Sequence, residues 1–423
     1  MIYRGESLKV GLGRLFSTEA INRNITVLAV TAAASTFSLS LWQLYLPNYL
    51  STQVKTTVLV GAVYSFSGLV VALSYFISGW LGDSLGRKKV IVANSFLLGL
   101  APLFLMGSDA LLLGFGLLFF FWSTSSLQPV FRAMITDGVR ASHRGRALSI
   151  FNSVAVSLAV LALILSGLRL ESLGGSGIQS YSLQNMASLF MASAVIILLM
   201  SFVRLIFLSE TYRPSNDDRA TFSSVIAKNL APLKKGNVRP LTLAYMLHDA
   251  ALSMVLFLIP LYATRAGMAA FTLSTMFAVQ IALTFILQIP FGRLADKKGR
   301  TWTILVSFVL EAIFAALLVV YANPYYAFAI YTVWIAAGQM DAPAQSALLA
   351  DLTKIEERSS MMGGFGAVTT LAAIPAPIIG GFLFDVNLPL LFYICSTLLA
   401  IAAATMLYYR RHLLREPSHE VSL

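Results

Sequence analysis

Long apolar runs constrain this chain more than any other feature. They fall at residues 25–47, 57–81, 89–107, 110–134, 147–168, 187–208, 241–262, 271–291, 301–322, 325–349, 362–384 and 388–409. A helix needs about 20 apolar residues to cross the hydrocarbon of a bilayer, and runs of this kind lack the period-two alternation of an outer-membrane barrel. Hydrophobic residues make up 57% of the chain and charged residues only 12%, against about 25% charged in ordinary soluble domains. A water-soluble globule is excluded. The expectation is an all-α membrane protein with twelve transmembrane helices.

Charge sets the expected orientation. The net charge is +11, from 30 Lys and Arg against 19 Asp and Glu. Of the 30, only Lys55, Arg169 and Arg265 fall in or beside the odd-numbered loops, leaving 30 − 3 = 27 in the tails, even-numbered loops and adjoining helix ends. The positive-inside rule then predicts both termini in the cytoplasm of a multi-pass cell-membrane protein, and explains the basic excess without nucleic acid. The segment 1–24 shows no cleavable leader pattern, so insertion is expected to begin with the first helix. The stretch Leu8 to Phe16 and the polar linker 209–240 read as segments lying on the inner leaflet, and residues 410–423 as a cytoplasmic tail. The single Cys395 excludes an internal disulfide.

An internal repeat divides the chain. GWLGDSLGRKK from Gly79 returns as GRLADKKGR from Gly292, so that Gly79, Asp83, Gly86 and Arg87 match Gly292, Asp296, Gly299 and Arg300, displaced by 213. Pro47 and Tyr49 match Pro260 and Tyr262 at the same displacement, and Pro129, Asp137 and Arg144 match Pro343, Asp351 and Arg358 displaced by 214. The chain therefore reads as two parallel six-helix bundles, 25–208 and 241–409, an arrangement that places a substrate site where repeats face each other near mid-membrane.

These residues carry a resemblance. The loop between the second and third helices resembles the G-x-L-x-D-x-x-G-R-[KR]-[KR] signature of the major facilitator superfamily. Gly79, Leu81, Asp83, Gly86, Arg87, Lys88 and Lys89 fill it, and Gly292, Leu294, Asp296, Gly299 and Arg300 fill a second copy. The resemblance implies the superfamily fold of two pseudo-symmetric bundles and secondary transport by alternating access. It also implies a cytoplasmic gate: Asp83 facing the helix that starts near Ser359, Asp296 facing the one that starts near Gly145, and the pairs Arg87–Asp137 and Arg300–Asp351. Helix ends suit such carboxylates, and arginines can bridge to a second acid.

Polar and aromatic residues spaced by three and four mark helix faces. The first span carries Thr31, Ser35, Ser38, Trp42 and Tyr45, and the seventh Thr242, Tyr245, Asp249 and Ser253. The fourth offers Trp122, Ser125, Pro129 and Arg132, the tenth Trp334, Gly338, Asp341 and Gln345, and the eighth Gln280, Thr284 and Gln288. Such faces avoid lipid; the resemblance places the first, fourth, seventh and tenth helices around a central cavity. Trp42, Tyr45, Trp122 and Trp334 are expected as aromatic walls, and Asp249 and Asp341, with His248 as a further candidate, as proton-coupling groups. Glu311, midway along the ninth span, has no evident role in the sequence.

The reading is export of a small amphipathic or cationic organic molecule, with protons as coupling ion and a single chain in the bilayer as the working unit. Uptake of an organic anion or metabolite through Arg132 is the alternative, and a non-transporting sensor on the same scaffold is the alternative from another class. The fifth span lacks the G-P-x-x-G-G run of drug–proton antiporters, and a related Pro377-Ile378-Ile379-Gly380-Gly381 stands in the eleventh. No G-x-x-x-x-G-K-[ST] loop, intramembrane His/Cys cluster or nucleophile–base set is present, so neither an ATP-driven pump nor an enzyme is expected, and no cofactor or metal is implied.

Overall fold

The computed structural model describes residues 22–413 apart from 55, 108, 141–142, 175–176, 212–221, 235, 237, 320–322 and 354–357. Among the described residues, eleven helical segments are long and apolar enough to cross a membrane. Spans 1 to 6 are Arg23–Gln53, Thr57–Gly82, Arg87–Leu105, Ala110–Asp137, Ala147–Ser172 and Gly177–Phe207. Spans 7, 8, 9, 11 and 12 are Arg239–Arg265, Ala270–Leu287, Arg300–Leu317, Met361–Val386 and Leu388–Arg411. The run expected as span 10 is less apolar, because it carries Gln339, Asp341 and Gln345. It forms two helices, Pro324–Gly338 and Asp341–Asp351.

The repeat is written into the backbone. Span 1 changes from α-helix to a 3-10 turn at Gln43–Tyr45 and resumes at Leu46; span 7 does the same at Leu256–Leu258 and resumes at Ile259. Pro47 and Pro260 cause both breaks, since a helical proline lacks the N–H donor and crowds the carbonyl four residues back, here at Gln43 and Leu256. Gly86 and Gly299 start spans 3 and 9 with φ of 99° and 96°. That left-handed region is open to glycine at little cost, so the signature loop needs a glycine at each position.

By packing, the residues group into two compact units that cut across the repeat. The first comprises described residues within 1–42, 74–162 and 187–220. Trp42 is fully buried in it, donating through Nε1 to Ser193 Oγ at 2.9 Å and lying against Phe120 and Phe190. The Glu210 carboxylate caps span 3, accepting from the backbone N–H groups of Arg87 and Lys88 at 2.9 and 3.1 Å, a favourable place for a negative charge.

The second unit comprises described residues within 43–73, 163–186 and 221–423. It holds spans 7 to 12 together with the ends of spans 1 and 2 and of spans 5 and 6. Small residues bring the helices together: a methyl at Gly61 would overlap the Pro377 carbonyl, one at Gly380 the Met254 carbonyl, and one at Gly381 the Thr57 carbonyl. The Pro377-to-Gly381 run thus lets span 11 press on spans 2 and 7. A polar clasp closes the same corner. Arg265 donates to Asp385 Oδ1 at 2.9 Å and to Thr57 Oγ1 at 2.8 Å, while Asp385 accepts from the Thr57 N–H and hydroxyl at 3.0 and 2.7 Å. Within the linker, the helix Phe222–Leu230 lies in this unit and packs at its C-terminal end against Gly364 of span 11. Residues 8–16 lie outside the described residues.

Candidate functional site

Span 7 has two polar faces with different surroundings. Asp249, Leu252, Ser253 and Leu256 recur at helical spacing on one face and line a cavity of about 500 Å³ inside the second unit. Span 2 contributes Tyr64, Ser67, Gly68 and Val71 to its wall, and span 11 contributes Thr370, Ala373, Ile374 and Pro377. Tyr64 and Phe257 stack there with centroids 4.7 Å apart. Asp249, 33% exposed at its side chain, is the acid of this wall.

The other face of span 7 turns Tyr245 and His248 into helix contacts with spans 9, 11 and 12, against Phe308 and Phe365. His248 is buried and bridges two acids: Nδ1 lies 3.0 Å from Asp249 Oδ1, and Nε2 lies 3.3 Å from Glu311 Oε1. Glu311 is 1% exposed. Its Oε2 accepts from Trp334 Nε1 at 3.3 Å, and the Ser307 hydroxyl stands 3.2 Å from Oε1 and 2.9 Å from the Ala337 carbonyl. Gly338 gives the carboxylate its room, since an added methyl would sit 3.3 Å from its Cδ. Asp341 is buried in the first turn of the helix Asp341–Asp351, where a helix N-terminus favours its charge. It is an electrostatic neighbour of Tyr245 and His248. Ionised groups at mid-membrane cost on the order of 2.5–3.5 kcal/mol each on insertion scales, and mutual pairing offsets that here.

The structure sorts the residues singled out in the sequence. Asp249 and Ser253 line the cavity; His248, Tyr245, Asp341 and Trp334 belong to the buried cluster behind it. Three expected aromatic walls are instead buried in helix contacts and are not among the residues lining this cavity. Trp42 and Trp334 are fully buried on hydrogen-bond partners, and Tyr45 is buried, 3.3 Å from Ser166 Oγ and stacked on Tyr181. Trp122 is half-buried and Arg132 exposed, both on span 4 in the first unit, and Gln280 is half-buried on span 8 outside the cavity wall. Ser38 is buried, and Ser35 accepts from Arg204.

Of the loop residues, Arg87 Nε lies 3.4 Å from Asp137 Oδ2, and Arg300 pairs with Asp351 while donating to the Ala347 carbonyl at 2.9 Å. Gly145 and Ser359 lie in the first turns of the helices Arg144–Val156 and Arg358–Ala373, and the side chains of Asp83 and Asp296 are not among those described.

Three charged residues emerge that the sequence did not single out by role. Glu311 sits on the stripe Thr303, Ser307, Glu311, whose four-residue spacing was its signal. Arg204 of span 6 is buried and donates to Thr31, Ser95 and Ser35 hydroxyls at 3.0, 2.7 and 3.1 Å, with its guanidinium 5.1 Å from the Phe131 ring centroid. Asp385 closes the clasp with Arg265, and one acid near the end of a span gave no signal of a partner 120 residues away.

Known proteins agree with this architecture. The family model of the Major Facilitator Superfamily matches residues 28–283 and 241–422. An uncharacterised MFS-type transporter of Methanocaldococcus jannaschii is 21% identical over 402 residues, covering 92% of this chain and 95% of that protein. Among solved structures, a POT family transporter in complex with a thioalcohol-conjugated peptide superposes with TM-score 0.74 at 12% identity, covering 93% of this chain and 97% of that one. A bacterial homologue of the human lysosomal transporter Spinster, inward-facing and unoccupied, gives 0.73 at 13% identity over 95% of this chain and 100% of that one. These likenesses establish the fold.

Proposed function

Because this chain belongs to the Major Facilitator Superfamily and is a multi-pass membrane transporter, we propose that it exports a small amphipathic organic cation in exchange for protons, by alternating access. The observation that carries this reading is the cavity of about 500 Å³ whose wall combines the Asp249 carboxylate with the stacked rings of Tyr64 and Phe257. A carboxylate in an apolar chamber attracts a cation, and aromatic faces hold it through dispersion and cation–π contact. Ser253 and Ser67 supply hydroxyls for orientation. A protein of this fold captured with 5-aminolevulinic acid supports a substrate of small organic dimensions.

Asp249 and His248, with Asp341 behind them, are the proton-handling groups of this reading, since one shared acid serves either a proton or a cation. The Arg87–Asp137 and Arg300–Asp351 pairs are the fixed part of a gate on the cytoplasmic side, and both termini lie in the cytoplasm. Exchange measured with purified protein in liposomes, under an imposed pH gradient and with a panel of organic cations and anions, tests this. The expected result is cation accumulation that follows the gradient. Transport indifferent to the gradient removes proton coupling, and selection of anions removes the role of Asp249.

A further inference from the structure

We propose that Glu311 is a positioning residue for proton exchange: it holds the Nε2–H of His248, leaving Nδ1 to share with Asp249 the one proton that an organic cation displaces. The inference rests on the cation-binding reading of the cavity. It extends that reading to span 9, which contributes nothing to the cavity wall.

The geometry is a line of three groups leading away from the chamber. Asp249 meets the cavity, His248 stands behind it at 3.0 Å, and Glu311 behind that at 3.3 Å. Glu311 is itself held on both oxygens, by Trp334 Nε1 on one and the Ser307 hydroxyl on the other, so its orientation is fixed by spans 9 and 10. The imidazole is clamped flat against Phe308, with centroids 4.5 Å apart and planes at 17°. A ring held this way cannot turn to present the other nitrogen, and the hydrogen bond at one nitrogen sets the tautomer at the other.

Every element packed against the imidazole adds to its setting. Span 7 supplies Tyr245 and Asp249, span 9 Glu311, and the broken span 10 Asp341. Span 12 brings Cys395, whose thiol donates to the Ala251 carbonyl at 3.4 Å, and span 11 brings Phe365 against Tyr245. Among the described residues no cation faces this group of acids, so the cluster carries net negative charge whenever two of its carboxyls are ionised.

The exchange balances. With the cavity empty, the exchanged proton sits on Asp249 Oδ1 and is donated to His248 Nδ1, while the one N–H of the neutral imidazole, on Nε2, is held by Glu311. When an organic cation binds the Asp249 carboxylate, the Oδ1–Nδ1 proton leaves to cavity water, the imidazole stays neutral with Nε2–H on Glu311, and no covalent bond other than that to the proton is broken. One positive charge leaves as one arrives. Without Glu311 the proton on the neutral ring is free to choose either nitrogen, and cation binding no longer expels it.

Glu311→Gln separates this role from simple packing, because the amide oxygen can still accept from Trp334 at the Oε2 position while the NH2 group takes the Oε1 position, where nothing is left to accept from His248. Binding of tetraphenylphosphonium to purified full-length protein in weak buffer, with a pH dye, reads protons released per cation bound. The parent protein is expected to release about one proton per cation. The Gln variant is expected to bind within about threefold of the parent, to release fewer than about 0.2 protons, and to retain cation counterflow in liposomes while losing gradient-driven accumulation. Equal proton release in the parent and the variant overturns the proposal, as does parallel loss of counterflow and driven transport in a variant that keeps its fold.

A second measurement needs no ligand: ¹⁵N NMR of labelled histidine, with the resonance assigned by His248→Gln. A single Nε2–H tautomer in the parent that becomes mixed in Glu311→Gln is expected; an unchanged tautomer refutes the positioning role. If tetraphenylphosphonium does not bind the parent protein, the cation reading of the cavity fails, while the NMR arm still decides the function of Glu311.

Discussion

The two halves of the repeat place polar groups at the same helix contact and use them differently. Ser35 and Asn94 of spans 1 and 3 correspond, at the displacement of 213, to His248 and Ser307 of spans 7 and 9. In the first half the charge at this contact is Arg204, brought from span 6 and held by three hydroxyls; among the described residues none of its hydrogen bonds goes to a carboxylate. In the second half the charge is Glu311, on span 9 itself, and its partner is an imidazole. Thr31, Ser35 and Ser95 already donate to carbonyls of their own helices, so they serve Arg204 as acceptors without needing it. The His248 cluster lacks that independence, and it continues, through Asp249, to a cavity wall; the first-half counterpart of Asp249 is Thr36. Duplication thus fixes where polar groups collect, and their ionisable chemistry decides which collection is used.

The largest expected effect breaks the comparison at its functional end. Asp249→Asn removes the charge at the cavity wall, and a charge-assisted contact is worth about 1.5–3 kcal/mol, so organic-cation binding should weaken at least about tenfold by isothermal titration. Retained affinity would detach the cavity from the acid cluster. Gly380→Val should follow in size, because its side chain meets the Met254 carbonyl and overpacking costs about 1–3 kcal/mol; the thermal midpoint in detergent should fall, with Gly366→Val, where an added methyl meets nothing within 4 Å, as the contrast.

A smaller effect sharpens the difference between the halves. Arg204→Met keeps the volume and leaves self-satisfied hydroxyls, and replacing a buried charge by an apolar side chain is often neutral or stabilising. Its thermal midpoint and transport should match the parent, whereas His248→Met should lose gradient-driven transport. A transport-dead, well-folded Arg204→Met would give the first half a charge-dependent function of its own. The smallest effect concerns the clasp: Arg265 and Asp385 are 46% and 34% exposed at their side chains, so screening limits the pair to about 1 kcal/mol or less. Arg265→Gln should raise the accessibility of a cysteine placed at Val386 to a membrane-impermeant thiol reagent no more than about fivefold.

What the sequence by itself determined are the features that chain-local physics dictates. Apolar run length set the number and kind of elements, and prolines four residues past Gln43 and Leu256 set the two 3-10 breaks. Glycines with positive φ at 86 and 299 set the turns of the duplicated loop. The Asp249–Ser253 spacing put both on one face, which was legible without neighbours. What only the tertiary structure decided is which way each polar face looks. Trp334 and Asp249 carry equal polar signals along the chain, yet one is sealed on Glu311 and the other meets the cavity. Glu311 acquires its partner from a helix 63 residues away, and Arg204 its acceptors from 109 to 173 residues away. A periodic pattern gives the angle of a side chain about its own helix axis, but the packing of other helices determines whether that angle meets an acid, a ring or open space.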